Sequence, residues 1–268
     1  CFPEKLMDLV NSGLIDYVAM DIKNCKNKYG LTVGIENFDI VRAKENSSDI
    51  IRKELKSKRK KGVVGTGAMS DPYNSFEKRL SLTRNALEII DNNRFGVSIA
   101  TKSDLITRDI DILKRIKEHS PVLCKITITT ADDCLCKIIE PNVVVTSKRF
   151  EAIKKLSNEG IYTGILLMPI LPYINDTEEN ILNIVRLAKE NGAKFIFPNF
   201  GVTLRSNQRD YFFNKIDKKF SGTKEKYIKT FGNEYMCNST KIKVLYSIFT
   251  NECNKLGLLY KMNDIIDD

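Results

Sequence analysis

Short apolar runs alternate along this chain with segments whose apolar residues recur at helical spacing. The runs end in glycine, proline or small polar residues, which is typical of buried β-strands. Strands are predicted at 14–20, around 63–64, and at 95–100, 122–128, 161–168 and 194–198. Helices are predicted at 3–11, 38–61, 80–92, 110–118, 150–158 and 177–191.

Strands that alternate with helices favour a single parallel sheet. Right-handed crossovers would curl six such units into an open barrel. The predicted fold is therefore α/β, an open six-stranded parallel (β/α) partial barrel. The C-terminal region is predicted to be helical throughout, with helices at 208–220, 223–231 and 241–256.

Polar side chains follow the predicted strands at the points where those strands end. Because carboxyl ends of parallel strands meet at one edge, and this edge carries the active site in (β/α) barrels, a shared site is expected there. Local turn chemistry is the alternative, but it explains four clusters on different strands poorly. The clusters are Asp21 with Lys23, Ser70 with Asp71, Lys102 with Ser103, and Thr129 with Thr130.

The stretch 62–74 joins an apolar strand to a helix through a glycine-containing polar loop. Gly62 and Gly67 have P-loop spacing, but Ala68 and Met69 stand where Lys and Ser/Thr must hold phosphate and magnesium. A dinucleotide fingerprint also fails, because Ser70 replaces its third glycine. Two interpretations of the loop are left: it is a ligand site of another type, or it is a tight turn with a capping Ser or Asp.

Composition describes a globular protein with a sizeable core: 268 residues, 42% hydrophobic and 29% charged. No apolar run reaches membrane-spanning length and no secretory signal is visible, so the cytoplasm is the predicted compartment and no membrane partner is expected. The chain starts at Cys1 instead of Met, which fits a processed chain or a fragment.

The net charge of +9 would suit a polyanion such as nucleic acid. The densest basic run, 52–61, lies at the end of a predicted helix, where lysines complement the helix dipole and solvate a surface. For this run we prefer the interpretation as a solvated helix end over nucleic-acid binding. Nucleic acid is kept as an alternative partner of the chain.

Seven cysteines at scattered positions do not indicate a disulfide framework and fit a reducing compartment. Their one close pair is Cys134 with Cys136, and one member is expected to pack inward. His119 is the single histidine, which argues against histidine-rich zinc sites and Ser-His-Asp triads.

From about residue 36 onwards the chain resembles the spore photoproduct lyase-like radical SAM proteins, often described as DNA repair photolyases. The resemblance covers about 230 residues in family order. It rests on the motifs at 65–73, 100–103 with 107–109, 126–130, 140–141 followed by Arg149, and 167–172.

The resemblance implies an open barrel that holds S-adenosylmethionine and a 4Fe-4S cluster, and a deoxyadenosyl radical as the reactive species. Ser70 and Asp71 would face the methionyl amine, and Lys102 and Arg149 would pair with the carboxylate, since charge-assisted bonds are strong. Thr129 would line the site. Tyr73 and Ser103 are assigned to the cofactor pocket from the same motifs.

One departure concerns the cluster. The family holds it with a Cys-x3-Cys-x2-Cys loop after the first strand, and three thiolates leave one iron open for S-adenosylmethionine. This chain has no such triplet, and Cys25 alone lies in the corresponding loop, as a weak metal-ligand candidate.

Residues 1–34 instead resemble a segment of the activating enzymes of anaerobic ribonucleotide reductase, where Asp21 and Lys23 match a motif beside S-adenosylmethionine. The resemblance therefore implies a junction near 34–36, which a deletion, a gene fusion or an assembly artefact could produce. Three parts are predicted: a replacement helix-strand unit at 1–34, the barrel at 35–200, and a C-terminal extension at 201–268.

Three hypotheses follow. The chain is a radical SAM protein, lyase-like, whose chemistry is compromised by the missing cysteines. Alternatively, it is a non-catalytic barrel that binds nucleic acid, or an inactive fusion product.

Overall fold

The computed structural model describes residues 46–68 and 70–268. Within these ranges, strands and helices alternate from α1 to β5. The strands are β1 Val63–Thr66, β2 Gly96–Thr101, β3 Val122–Thr127, β4 Tyr162–Leu167 and β5 Phe195–Pro198. The helices are α1 Ser47–Ser57, α2 Glu77–Leu80, α3 Leu82–Asn92, α4 Ile110–Lys117, α5 Asp133–Ile139, α6 Thr146–Asn158 and α7 Glu178–Glu190, with a 3-10 helix at Asp104–Asp109.

The five strands form one parallel sheet in the order β1-β2-β3-β4-β5. Neighbouring strands in the chain are therefore neighbours in the sheet, as βαβ units require. The sheet is open, which confirms the prediction of an α/β partial barrel. The predicted first strand at 14–20, with the helix at 3–11, lies outside the described residues.

Alternate residues of each strand face opposite sides of the sheet. One side packs against the helices: Val97, Ile99, Cys124, Ile126 and Ile165 belong to the main hydrophobic core. The other side, which we call the open face, carries the remaining strand positions. Leu123, Lys125, Tyr162, Leu166 and Phe197 lie there and are only partly buried. The open face thus carries several partly buried side chains, and Tyr162 on this face donates a hydrogen bond to the carbonyl of Ile265 in the C-terminal region.

The predicted helix at 38–61 is corrected at its C-terminal end. The helix ends at Ser57, because Lys58 adopts an extended conformation (φ −79°, ψ 124°) and the chain must reach β1 at Val63. The basic residues 58–61 therefore form a connecting segment. Residues 38–45 lie outside the described part.

The C-terminal region contains the helices α8 Ser206–Lys219, α9 Thr223–Phe231, α10 Ile242–Leu256 and α11 Met262–Asp267. The prediction that it is wholly helical is wrong, because β6 Gly201–Thr203 and β7 Met236–Asn238 form an antiparallel pair. Strands of three residues are too short to show an alternating pattern. The domain boundaries stay predictions.

This region divides its apolar residues between two cores. Leu245, Phe249 and Cys253 of α10 join the main core, where α10 packs on α7. A second core lies beneath β6, β7, α8 and α9. It consists of Leu204, Phe213, Ile216, Tyr227, Phe231 and Cys237. Among the described helices, none is long and apolar enough to cross a membrane.

Candidate functional site

The loop that follows β1 turns back over the end of β2. Gly67 makes this possible: its φ is 93°, and a Cβ there would overlap the carbonyl oxygen of Ala100. Only glycine combines this backbone conformation with so close an approach. The loop therefore lies directly against the carboxyl end of the neighbouring strand.

Asp71 ties the two strand ends together. Its Oδ1 accepts hydrogen bonds from the Tyr73 backbone N–H, at 2.9 Å, and from the Thr101 hydroxyl. Its Oδ2 accepts from the backbone N–H of Lys102 at 2.7 Å. A carboxylate with several such donors is a strong, charge-assisted anchor. Asp71 thus places Lys102 beside the loop.

A second carboxylate supports the loop from the helix side. Glu77, 3% exposed, accepts from the backbone N–H groups of Thr83 (2.9 Å) and Arg84 (3.2 Å) at the start of α3. Its Oε1 also lies 2.7 Å from Nη2 of Arg108. The tyrosine of the loop, Tyr73, is buried, and burial raises its pKa. Tyr73 therefore belongs to the support of the loop, since it does not line the cavity described next.

A cavity of about 200 Å³ opens at the carboxyl edge of β1, β2 and β3. Ser70, Asp71 and Lys102, three residues singled out from the sequence, converge on it from two strands. Ser70 is exposed and no described residue accepts or donates a hydrogen bond at its hydroxyl. The full lining is Gly67, Ala68, Ser70, Asp71, Ala100, Thr101, Lys102 and Thr127.

Glu140 joins the two cations that were expected to meet a carboxylate. Its Oε1 lies 2.8 Å from Lys102 Nζ, and its Oε2 lies 2.6 Å from Arg149 Nη2. Burial would raise the pKa of Glu140, but the charges of Lys102 and Arg149 outweigh it and hold the pKa below its usual value. Glu140 is therefore a largely buried anion, with its side chain 10% exposed, between two cations.

Arg149 is fully buried and lies outside the cavity lining. Its Nε donates to the carbonyl of Val144 at 2.8 Å, and its Nη1 donates to the carbonyl of Thr127 at 2.9 Å. It thus fastens α6 to the end of β3. Lys102, with its side chain 32% exposed, lines the cavity while it is paired with Glu140.

Two further predicted residues take different positions. Thr129 is 2% exposed, and within the described residues its hydroxyl has no hydrogen-bond partner. Such an unsatisfied buried hydroxyl is uncommon, but Thr129, like Tyr73, does not line the cavity. Ser103 instead caps the 3-10 helix by accepting from the backbone N–H of Leu105. Asp21, Lys23 and Cys25 lie outside the described residues.

Sequence reasoning did not assign Glu140, Thr101 or Thr127 to the site. Glu140 was visible as part of the Glu-Pro motif, but its pairing with two distant cations was not. Thr101 carries no special pattern, because its role is to donate to Asp71 across 30 positions of chain.

The described cysteines do not fit a 4Fe-4S cluster. Cys124 lies on the helix-covered side of β3, and burial raises the pKa of its thiol to about 12. Burial also raises the pKa of the Cys253 thiol in α10 to about 12. Thiolates are the ligands that such a cluster needs. Across residues 46–68 and 70–268, no group of three or more Cys, His, Asp or Glu is placed to hold a metal ion.

Comparison with known proteins gives the family. Residues 25–188 match the model of the radical SAM superfamily. This chain belongs to the radical SAM superfamily. The matched range covers β1 to β4 and most of α7, so the cavity lies inside the family domain. The likeness of residues 1–34 to ribonucleotide reductase activating enzymes stays a prediction.

Curated relatives of this radical SAM protein are themselves uncharacterised. A protein of Methanocaldococcus jannaschii is 39% identical over 135 residues, which cover 50% of this chain and 49% of the relative. A Mycobacterium tuberculosis protein is 25% identical over 178 residues, covering 66% and 52%. The chain spans about half the length of the curated relatives it matches.

Solved structures with the same fold include two spore photoproduct lyase variants. One superposes with a TM-score of 0.55 at 13% identity, covering 80% of this chain and 66% of that chain. The other, solved with dinucleoside spore photoproduct, superposes with a TM-score of 0.54 at 14% identity. The match covers 79% of this chain and 64% of that chain. At this identity the likeness shows a shared fold.

Proposed function

We propose that the cavity at the carboxyl edge of β1 to β3 binds S-adenosylmethionine. The observation that supports this most is the convergence of Ser70, Asp71 and Lys102 on one cavity inside the radical SAM domain. Ser70 and Asp71 would meet the methionyl amine, and Lys102 would meet the carboxylate.

Asp71 is suited to an amine even though its oxygens already accept hydrogen bonds. Each carboxylate oxygen has two lone pairs, and Oδ2 accepts only from Lys102 N–H among the described residues. Lys102 carries a partner, Glu140, that keeps its ammonium at the cavity. A ligand carboxylate would share this ammonium with Glu140.

For this chain we propose ligand binding, and lyase-like radical chemistry is the activity that its resemblance to spore photoproduct lyase-like proteins implies. The described cysteines do not form a cluster site, so no reaction step is assigned to the chain. The fold shared with spore photoproduct lyase and the motif set at 65–73 and 100–109 support a lyase-like branch.

S-adenosylmethionine should stabilise the wild-type chain and not an Asp71→Asn variant. A ligand at 100 times its dissociation constant raises the free energy of unfolding by about 2.7 kcal/mol. Asn keeps the shape but removes the charge that meets the amine, and its NH2 group replaces one of the two oxygens that accept hydrogen bonds in the wild type. Thermal unfolding with and without the ligand, together with calorimetric titration, measures both effects.

Ser70→Ala should reduce the ligand-induced shift without removing it. Ser75→Ala is the matched control, because Ser75 is an exposed serine of the same loop and does not line the cavity. An unchanged shift in Asp71→Asn would show that the ligand binds elsewhere.

Nucleic acid is the second candidate ligand, favoured by the surface of α8. Lys215, Lys218 and Lys219 are exposed at helical spacing that places them on one side of α8. Tyr211, 56% exposed, lies on the same helix, and Lys215 Nζ is 5.3 Å from the centroid of its ring. Basic residues with interspersed aromatic rings suit a single strand. The spore photoproduct lyase solved with a dinucleoside adds support from a protein of the same fold.

Binding of a fluorescent single-stranded oligonucleotide should weaken as salt rises, because bound phosphates release counterions. We expect Lys218→Gln with Lys219→Gln to weaken binding several-fold and to flatten the slope of log K against log salt. Lys154→Gln, an exposed lysine of α6, is the control. Salt-independent or absent binding would contradict this candidate.

A further inference from the structure

Lys125 occupies an unusual position for a lysine. It lies in the middle of β3, the central strand of the five-stranded sheet, on the open face. By register it stands level with Ala100 on β2 and Gly164 on β4. Both neighbours are small, and the ring of Phe195 lies over Gly164. The stem of Lys125 is therefore flanked by apolar groups.

The ammonium of Lys125 has no anionic partner in the part of the chain that the structure describes: no carboxylate oxygen there lies within 4.0 Å. Burial lowers the pKa of Lys125, because desolvation disfavours the charged form. A partly buried cation without a partner is unfavourable for folding. Lys102 and Arg149, by contrast, share Glu140.

Lys125 is also next to the proposed cofactor cavity. Thr127, two residues further along β3 and on the same face, lines that cavity. Ala100, level with Lys125 on β2, lines it too. Lys125 thus lies two residues before Thr127, further from the carboxyl edge of the sheet. A ligand that extends from the cavity along the open face would reach it.

We propose that Lys125 is an oxyanion-binding residue of the open face. Its ligand is either the carboxylate of S-adenosylmethionine or a phosphate or carboxylate of a second molecule bound beside it. The inference rests on the proposed function, because it assumes that the cavity above Lys125 is occupied. A bound oxyanion would provide the anionic partner that Lys125 lacks among the described residues.

The first arm of the test compares S-adenosylmethionine with decarboxylated S-adenosylmethionine, which lacks only the carboxylate. If this carboxylate is the ligand, Lys125→Met weakens binding of the first compound about tenfold or more, as loss of a hydrogen bond to a charged group does. Binding of the second compound stays unchanged. Calorimetric titration measures both.

The second arm compares thymidylyl-thymidine with its uncharged methylphosphonate analogue. If the oxyanion belongs to a second molecule, Lys125→Met removes the preference for the charged dinucleotide and leaves affinity for S-adenosylmethionine as in the wild type. Lys125→Arg should retain part of the affinity in either arm. Lys154→Met, on the exposed side of α6, controls for loss of a surface charge.

Thermal unfolding of the Lys125→Met variant shows whether it is folded, so that a loss of binding is not mistaken for misfolding. Since Met matches the stem and removes an unpaired charge, Lys125→Met should unfold at the wild-type temperature or above it. Wild-type affinity of Lys125→Met for both charged probes would overturn the inference while leaving the proposed function intact. Absence of S-adenosylmethionine binding in the wild type would instead overturn the proposed function. Absence of binding to both charged probes in the wild type overturns this inference as well.

Discussion

Replacement of Glu140 by alanine is expected to lower the free energy of unfolding by about 3–5 kcal/mol, the usual cost of removing one partner from a buried ion pair. The change leaves the fully buried Arg149 without its carboxylate and frees Lys102 at the cavity. Urea denaturation followed by circular dichroism measures the loss.

Two variants separate the parts of this network. Lys102→Met should cost much less than Glu140→Ala, because Lys102 is 32% exposed and Arg149 still neutralises Glu140. The double variant Glu140→Met/Arg149→Met removes both buried charges, so it should be more stable than Glu140→Ala alone. If Glu140→Ala unfolds like the wild type, the ion pairs are not formed in solution.

The same network predicts the direction of a pH effect. The folded-state pKa of Glu140 is lowered by Lys102 and Arg149. Its contribution to stability is therefore complete above the unfolded value, which is about 4.3 for glutamate, and is lost as the pH falls through the folded-state pKa. The difference in unfolding free energy between the wild type and Glu140→Ala should shrink over this acidic range.

Anaerobic reconstitution of this chain with iron and sulfide is expected to yield no 4Fe-4S cluster with an open iron site. After dithionite reduction with S-adenosylmethionine, no 5′-deoxyadenosine should be released. Such a cluster needs three thiolates at one corner. Of the seven cysteines, the five that the structure describes do not converge, which leaves Cys1 and Cys25 in the chain.

Visible absorption, iron and sulfide content and chromatography of the nucleoside products give the result. Binding of S-adenosylmethionine without cleavage would agree with both the proposed function and this expectation. Near-stoichiometric cluster, with 5′-deoxyadenosine formed by the wild type and lost in Cys25→Ala, would contradict it. In that case the loop around Cys25 would be a cluster site of a new kind.

The fold was largely predictable because each element leaves a local pattern. The apolar runs of β2 to β5 and the 3.6-residue spacing of α3, α4, α6 and α7 record which side of each element is buried. Their boundaries moved by a few residues at most, apart from the start of α6 and the end of α1. The strands β6 and β7 were missed, since three residues carry too little pattern.

The location of the candidate site could be predicted from the sequence, but the partners of its charged residues could not. Ser70, Asp71 and Lys102 follow strands of a parallel sheet, so their meeting at one edge follows from topology. Arg149 was expected at a ligand carboxylate, and the structure places it against Glu140. Nothing local in the sequence distinguishes a cation that faces a ligand from one that faces a buried glutamate.

By itself the sequence determined the order of strands and helices, the edge of the sheet where the polar residues gather, and the absence of a cysteine triplet. Only the tertiary structure decided which charges meet: Asp71 with the end of β2, Glu140 between Lys102 and Arg149, and Lys125 with no anion near it in the described chain. The physical reason is that periodicity records burial of single residues along one element. Ion pairing depends instead on distances between side chains that different loops and helices carry to the same place.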